Sequence, residues 1–182
     1  MNLRKNIASV LISEQQIKEK IAELAKQISV DYENSDLLIV GVLKGSMVFM
    51  ADLMRAMDIN TKIDFMCVSS YGAYTKTSGQ VRILMDLREP IDGKDVLIIE
   101  DILDSGVTLS YLLDVLQARN PKSIAVCTLL DKPSRRKSEV QLKYRGFVIP
   151  DEFVVGYGLD YAEDYRNLPF IGILKPEVYQ GE

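Results

Sequence analysis

Three apolar runs of strand length recur along the 182-residue chain: LLIVGVL at 37–43, DVLIIE at 95–100 and SIAVCTLL at 123–130. They are continuous rather than alternating, which marks strands buried on both faces. Helical patterns lie between them. KGSMVFMADLMRAM (44–57) opens at a Gly-Ser turn and continues as a helix. Leu109, Leu112, Leu113 and Leu116 line one face of another, which stops before Pro121. Ser13 and Gln16 have the spacing of a capping box, ahead of Ile17, Ile21, Leu24, Ala25 and Ile28. IDFMCV (63–68), VRILMDL (81–87), FVVGYGLD (153–160) and FIGIL (170–174) read as further strands. Strands alternating with helices predict an α/β fold with a mostly parallel sheet flanked by helices. The N- and C-terminal segments are expected to form a small cap. The length fits one domain over residues 1–182.

Residue usage narrows the chemistry. The chain has no histidine, which removes serine-histidine and cysteine-histidine nucleophiles and the usual zinc sites. Acid-base work then falls to carboxylates, lysines or tyrosines, and any metal is expected to be a hard, oxygen-bound ion. The two cysteines, Cys67 and Cys127, lie in separate apolar segments and read as buried free thiols. That fits a reducing cytoplasm. The formal net charge is −4, so no overall basic footprint for nucleic acid or an anionic membrane exists. No apolar run approaches the roughly 20 residues that span a bilayer, and no secretory leader pattern follows Arg4 and Lys5.

The stretch VLIIEDILDSGVTLSYLL (96–113) carries the strongest chemical signal. A buried strand ends in Glu100 and Asp101; Asp104, Ser105, Gly106 and Thr108 follow, and then a helix. In open parallel sheets, ligands bind beyond the carboxyl ends of the strands. The first amides of a helix have no intrahelical partners and point outward with the positive end of the dipole, so the turn suits a phosphate. Gly106 lets backbone approach an anion, and Ser105 and Thr108 can add hydroxyls. It is neither a Walker loop nor Gly-x-Gly-x-x-Gly. The adjacent acids suit ribose hydroxyls or magnesium. The plainer alternative is an acidic helix cap beside two solvated carboxylates.

VLIIEDILDSGVTL resembles the phosphoribosyl pyrophosphate signature of the type I phosphoribosyltransferases. GVLKGSMVFMADL (41–53), VSSYGAYTKTSGQV (68–81), LLDKPSRR (129–136) and FVVGYGLDYAEDYRNLPFIGIL (153–174) resemble its hypoxanthine-guanine branch of bacterial type. These segments stand in the family's order and span nearly the whole chain. The resemblance implies magnesium-dependent transfer of 5-phosphoribosyl from phosphoribosyl pyrophosphate to hypoxanthine or guanine. IMP or GMP and pyrophosphate would be the products, in purine salvage. A homodimer or homotetramer is implied too, with no nucleic-acid or membrane partner.

The same resemblance implies roles for single residues. Asp104 is the expected general base. Asp104, Ser105, Gly106, Val107 and Thr108 surround the 5-phosphate, although the family often has a basic residue where this chain has Val107. Glu100 and Asp101 hold the ribose hydroxyls and magnesium. Lys44 and Gly45 offer backbone to pyrophosphate, with a cis Leu43–Lys44 peptide. Lys132 donates to the purine O6, Phe153 stacks on the base and the Val154 backbone meets its edge. Asp160 is expected near a second magnesium or the exocyclic edge of guanine, and Arg166 near pyrophosphate. Ser70 and Tyr71 belong to a loop (69–80) that closes during turnover. Singly, most of these residues have ordinary surface or core readings; their joint order is what the resemblance rests on. Rival readings are a nucleotide-sensing regulator on the same fold and a transferase for adenine or a pyrimidine.

Overall fold

The structure is a computed structural model that describes residues 3–71 and 80–180. The chain runs from β1 (Ile7–Ile12) into α1 (Glu14–Asp31), β2 (Leu37–Leu43), α2 (Met47–Ala56), β3 (Lys62–Tyr71) and β4 (Gln80–Met85). It continues through β5 (Asp95–Leu103), α3 (Val107–Gln117), β6 (Ser123–Asp131) and β7 (Tyr144–Val148) to β8 (Val154–Val155), β9 (Ile171–Leu174) and α4 (Pro176–Tyr179). A six-stranded sheet has the order β4-β3-β2-β5-β6-β7. All its pairs are parallel except β3 with β4.

Alternate residues of the central strands feed two cores, which explains why the runs are apolar throughout. Ile39, Leu97, Ile99 and Leu129 pack with α1 and α2 on one face. Leu38, Val40, Ile98 and Val126 pack with Leu109, Leu112 and Leu116 of α3 on the other. Fully burying one such side chain stabilises the fold by about 1.5–3 kcal/mol. Helix α1 starts at the expected capping box. The Gln16 amide donates to Ser13 Oγ at 3.3 Å, and the Ser13 amide donates to Gln16 Oε1 at 2.9 Å. All five residues of its predicted apolar stripe are buried. Both cysteines are free; Cys127 is buried and Cys67 half-buried.

The cap contains a second, antiparallel sheet of order β1-β9-β8. Strand β1 is not anticipated by the sequence, because its half-exposed IASVLI finds a partner only near the other end of the chain. The strand expected over 153–160 shrinks to Val154–Val155. Gly156, Tyr157 and Gly158 take φ values of 98°, 52° and 101°, which no strand accommodates. Edge strand β7 also went unpredicted, since KYRGFV has no apolar run. Strand β5 runs on to Leu103, so Asp101 stands on the strand and the turn proper begins at Asp104.

Candidate active site

The carboxyl ends of β2, β5 and β6 carry Lys44 and Gly45, the stretch from Glu100 to Thr108, and Lys132, while Phe153, Val154, Asp160 and Arg166 come from the segment after β7. After β2, the chain turns through Lys44, Gly45 and Ser46 into α2, and the Leu43–Lys44 peptide is cis. The buried Ser46 hydroxyl donates to the Val42 carbonyl at 2.6 Å and ties the turn to its strand. A β-carbon on Gly45 would collide with the Asp101 carboxylate. A β-carbon on Gly158 would collide with the Gly45 carbonyl. The turn is therefore held between the end of β5 and the 156–166 segment. Lys44 is exposed, with Nζ 2.9 Å from Glu163 Oε2.

Glu100 and Asp101 are half-buried neighbours. Burial, then the charge on Asp101, pushes Glu100 well above the usual carboxylate range. Burial pushes Asp101 to about 6, against the hydrogen bond from the Ile102 amide and the pull of Arg166. Two adjacent carboxylates destabilised in this way are a donor set that a hard divalent cation would favour in charged form. Among the described residues, no three acidic or other ligating side chains converge into a metal cluster. Asp160 instead forms an ion pair with Arg166 Nη2 at 2.9 Å and accepts from the Glu163 amide. Two carboxylates with substrate oxygens are the ordinary protein share of a magnesium site.

The turn after β5 is built as a cradle. Gly106 caps α3 with φ 80°, and a β-carbon there would collide with the Ser138 carbonyl. The Ser105 carbonyl accepts from the amides of Lys137 and Ser138 at 2.8 and 3.1 Å, so the loop after β6 braces it. The Val107 amide is 3.4 Å from Ser105 Oγ, Thr108 is half-buried and Val107 is exposed. The side chain at 107 makes no polar contact, as its chemistry requires. Asp104 keeps one carboxylate oxygen buried and, among the described residues, without a hydrogen-bond partner.

On the β6 side, Lys132 is only 5% exposed, an unusual place for an ammonium. It donates to the Glu152 carbonyl at 2.8 Å and lies 3.8 Å from Asp151 Oδ1. Arg135 lies 3.7 Å from that Asp151 carboxylate and 3.6 Å from Asp104. Asp104 and Lys132 are thus joined across one mouth by two intervening charges. Phe153 stacks on Tyr179 with centroids 4.7 Å apart and meets Tyr161 edge-on. Val154 is buried in β8. Arg166 donates to the Gly158 carbonyl at 2.8 Å and to Glu163 and pairs with Asp160, and its buried Nε has no hydrogen-bond partner among the described residues. The backbones of Ser70 and Tyr71 close β3. Their side chains, and loop residues 72–79, lie outside the described residues.

Arg135, Asp151 and Glu163 were missed from sequence. PSRR reads only as a basic loop, and no local spacing announces that its first arginine reaches Asp104 across 31 positions.

The family profile described as phosphoribosyl transferase domain matches residues 11–162. The chain belongs to that family. Among its phosphoribosyl transferase relatives is the hypoxanthine-guanine phosphoribosyltransferase of Bacillus subtilis, 53% identical over 98% of this chain and 99% of that protein. The bifunctional protein TilS/HprT of Listeria monocytogenes is 55% identical over 98% of this chain. The chain spans 28% of the length of that bifunctional protein. A solved hypoxanthine phosphoribosyltransferase of Staphylococcus aureus superposes with TM-score 0.94 at 52% identity, covering 98% of both chains.

Proposed function

We propose that the chain is a purine-salvage enzyme that transfers 5-phosphoribosyl from phosphoribosyl pyrophosphate to hypoxanthine or guanine. Near-full-length relatives that bear these substrates in their names support the reading. The observation that carries it is Asp104, in the turn that forms the cradle, whose buried Oδ1 has no hydrogen-bond partner among the described residues and is linked only through Arg135, at 3.6 Å, and Asp151 to buried Lys132. In the reaction the ribose C1–oxygen bond to pyrophosphate breaks and a bond to an imidazole-ring nitrogen of the purine forms. Asp104 takes the proton from that ring. The amides and hydroxyls of 105–108 hold the 5-phosphate. Lys132 donates to O6, which adenine lacks, so 6-oxopurines are selected. Phe153 and the Val154 backbone border the base.

Lys44, Gly45 and Arg166 serve the pyrophosphate side. Glu100 and Asp101 hold the ribose hydroxyls and a magnesium ion. When bound, that ion would neutralise charge on the phosphoribosyl donor. Charge building on the ribose as pyrophosphate leaves is met by the same carboxylates. A cytoplasmic, self-associating enzyme is part of this reading.

The test is turnover. Protein, magnesium and phosphoribosyl pyrophosphate are mixed with guanine, hypoxanthine, adenine or uracil. GMP and IMP are expected, with no AMP or UMP and no product in chelator. AMP alone would reassign the base, and no nucleotide from any base would favour a regulator.

A further inference from the structure

The 156–166 segment is wound against the preference of L-residues. Besides Gly156 and Gly158, four other residues have positive φ: Tyr157 (52°), Ala162 (50°), Glu163 (68°) and Tyr165 (77°). Bulky side chains rarely adopt that region and stay there only where surroundings hold them. Two phenols supply the hold. Tyr165, buried, accepts from Asn6 Nδ2 at 2.7 Å. Tyr157, also buried, donates to Asp52 Oδ2 at 2.6 Å. Burial, then the Asp52 hydrogen bond, raises the Tyr157 phenol further above its ordinary value, so it remains a donor at neutral pH.

Asp52 stands on α2, the helix that begins directly after the Lys44–Gly45 turn. Tyr157 is the place where that helix grips the segment, and Gly158 is the place where the segment meets the turn. The Gly158 amide donates to the Arg166 carbonyl at 2.9 Å, and the Gly158 carbonyl accepts from Arg166 Nη1 at 2.8 Å. Beneath Arg166 lies a cavity of about 250 Å³ lined by Asp52, Tyr157, Val48 and Leu168 among others. The polar contacts recorded for the guanidinium are with Gly158, Asp160 and Glu163. Anything that fixes Gly158 fixes Arg166 relative to Gly45.

We propose that Asp52 is a positioning residue for the phosphoribosyl-donor side of the site, acting through Tyr157 to hold Gly158 and Arg166 against the Lys44–Gly45 turn. The proposal rests on the transferase reading above. Asp52 itself has no chemical role in it.

The test uses the full chain with magnesium, phosphoribosyl pyrophosphate and hypoxanthine. Asp52→Ala and Tyr157→Phe are expected to raise the donor KM by about tenfold and to leave the hypoxanthine KM within about twofold. Asp52→Asn, whose amide oxygen can still accept from Tyr157, restores most of the donor affinity. In an Arg166→Ala background, Asp52→Ala adds nothing further, because the two act in series. Thermal midpoints are measured alongside, and if Tyr157→Phe does not fold, the Asp52 variants decide. An unchanged donor KM, equal rises in both KM values, failure of Asn to restore, or additive effects with Arg166→Ala would each overturn the proposal. If the wild type transfers nothing, the transferase reading falls and takes the proposal with it. If the wild type turns over and the variants match it, only the proposal falls.

Discussion

Gly45 lies so close to Asp101 that a single added methyl would overlap the carboxylate. The contact follows from topology. Strands β2 and β5 are parallel neighbours in register up to Gly41 and Ile99, so the turn after one and the acids ending the other emerge side by side. A donor carrying pyrophosphate next to ribose fits that adjacency.

Gly45→Ala is therefore expected to separate the two halves of the site. The backbone of Gly45 is not at positive φ, so the effect is one of space alone. We expect kcat/KM for phosphoribosyl pyrophosphate to fall by at least about tenfold while the thermal midpoint changes little. Steady-state kinetics beside a melting curve checks this; unchanged donor kinetics would show that the turn can yield without cost.

Lys132→Met keeps the length of a buried side chain and removes its ammonium. The expected result is a fall of about 10² in kcat/KM for hypoxanthine, with the donor KM little altered and no gain of adenine turnover. Competition between hypoxanthine and adenine reads both. A variant that keeps its preference for hypoxanthine would place O6 recognition elsewhere.

Tyr144→Phe tests how α1 is fastened to the sheet. The Tyr144 hydroxyl donates to Asp31 at 2.6 Å, and Lys143 lies 3.1 Å from the same carboxylate. Those contacts, Tyr144 first, hold Asp31 below the usual carboxylate range. A depressed carboxylate contributes its stability fully above the unfolded value and loses it as pH falls through the folded one. Asp31 is partly exposed, so water replaces the lost partner in part; we expect a cost of about 1 kcal/mol at pH 7. That cost should shrink below about pH 4. Chemical denaturation at pH 7 and pH 3 measures it, and a constant difference would contradict the linkage.

Local patterns made much of this molecule legible. The Ser13 capping box, the α1 stripe and the doubly buried β2, β5 and β6 are short-range signals, and each appears where its spacing puts it. The acids at 100, 101 and 104 and the glycine at 106 were legible for the same reason. What escaped depends on partners far along the chain. Strand β1 exists because β9 pairs with it, Arg135 matters because a parallel crossover puts it beside Asp104, and Tyr157 is held by an aspartate 105 positions away. The positive φ values of Tyr157, Ala162, Glu163 and Tyr165 have no glycine to announce them. An edge strand such as β7 carries too little apolar surface to register as a run.

Asp104 carries the proton transfer of the proposed reaction. Asp104→Asn preserves shape; among the described residues the buried oxygen has no hydrogen bond to lose, and the change weakens only a long, exposed pairing with Arg135 at 3.6 Å. The amide cannot accept the purine proton. Turnover with hypoxanthine should fall by on the order of 10²–10⁴. Calorimetric binding of phosphoribosyl pyrophosphate with magnesium should stay near the wild-type value. Turnover near the wild-type rate, with donor binding intact, would contradict the assignment and leave Asp104 as no more than part of the turn.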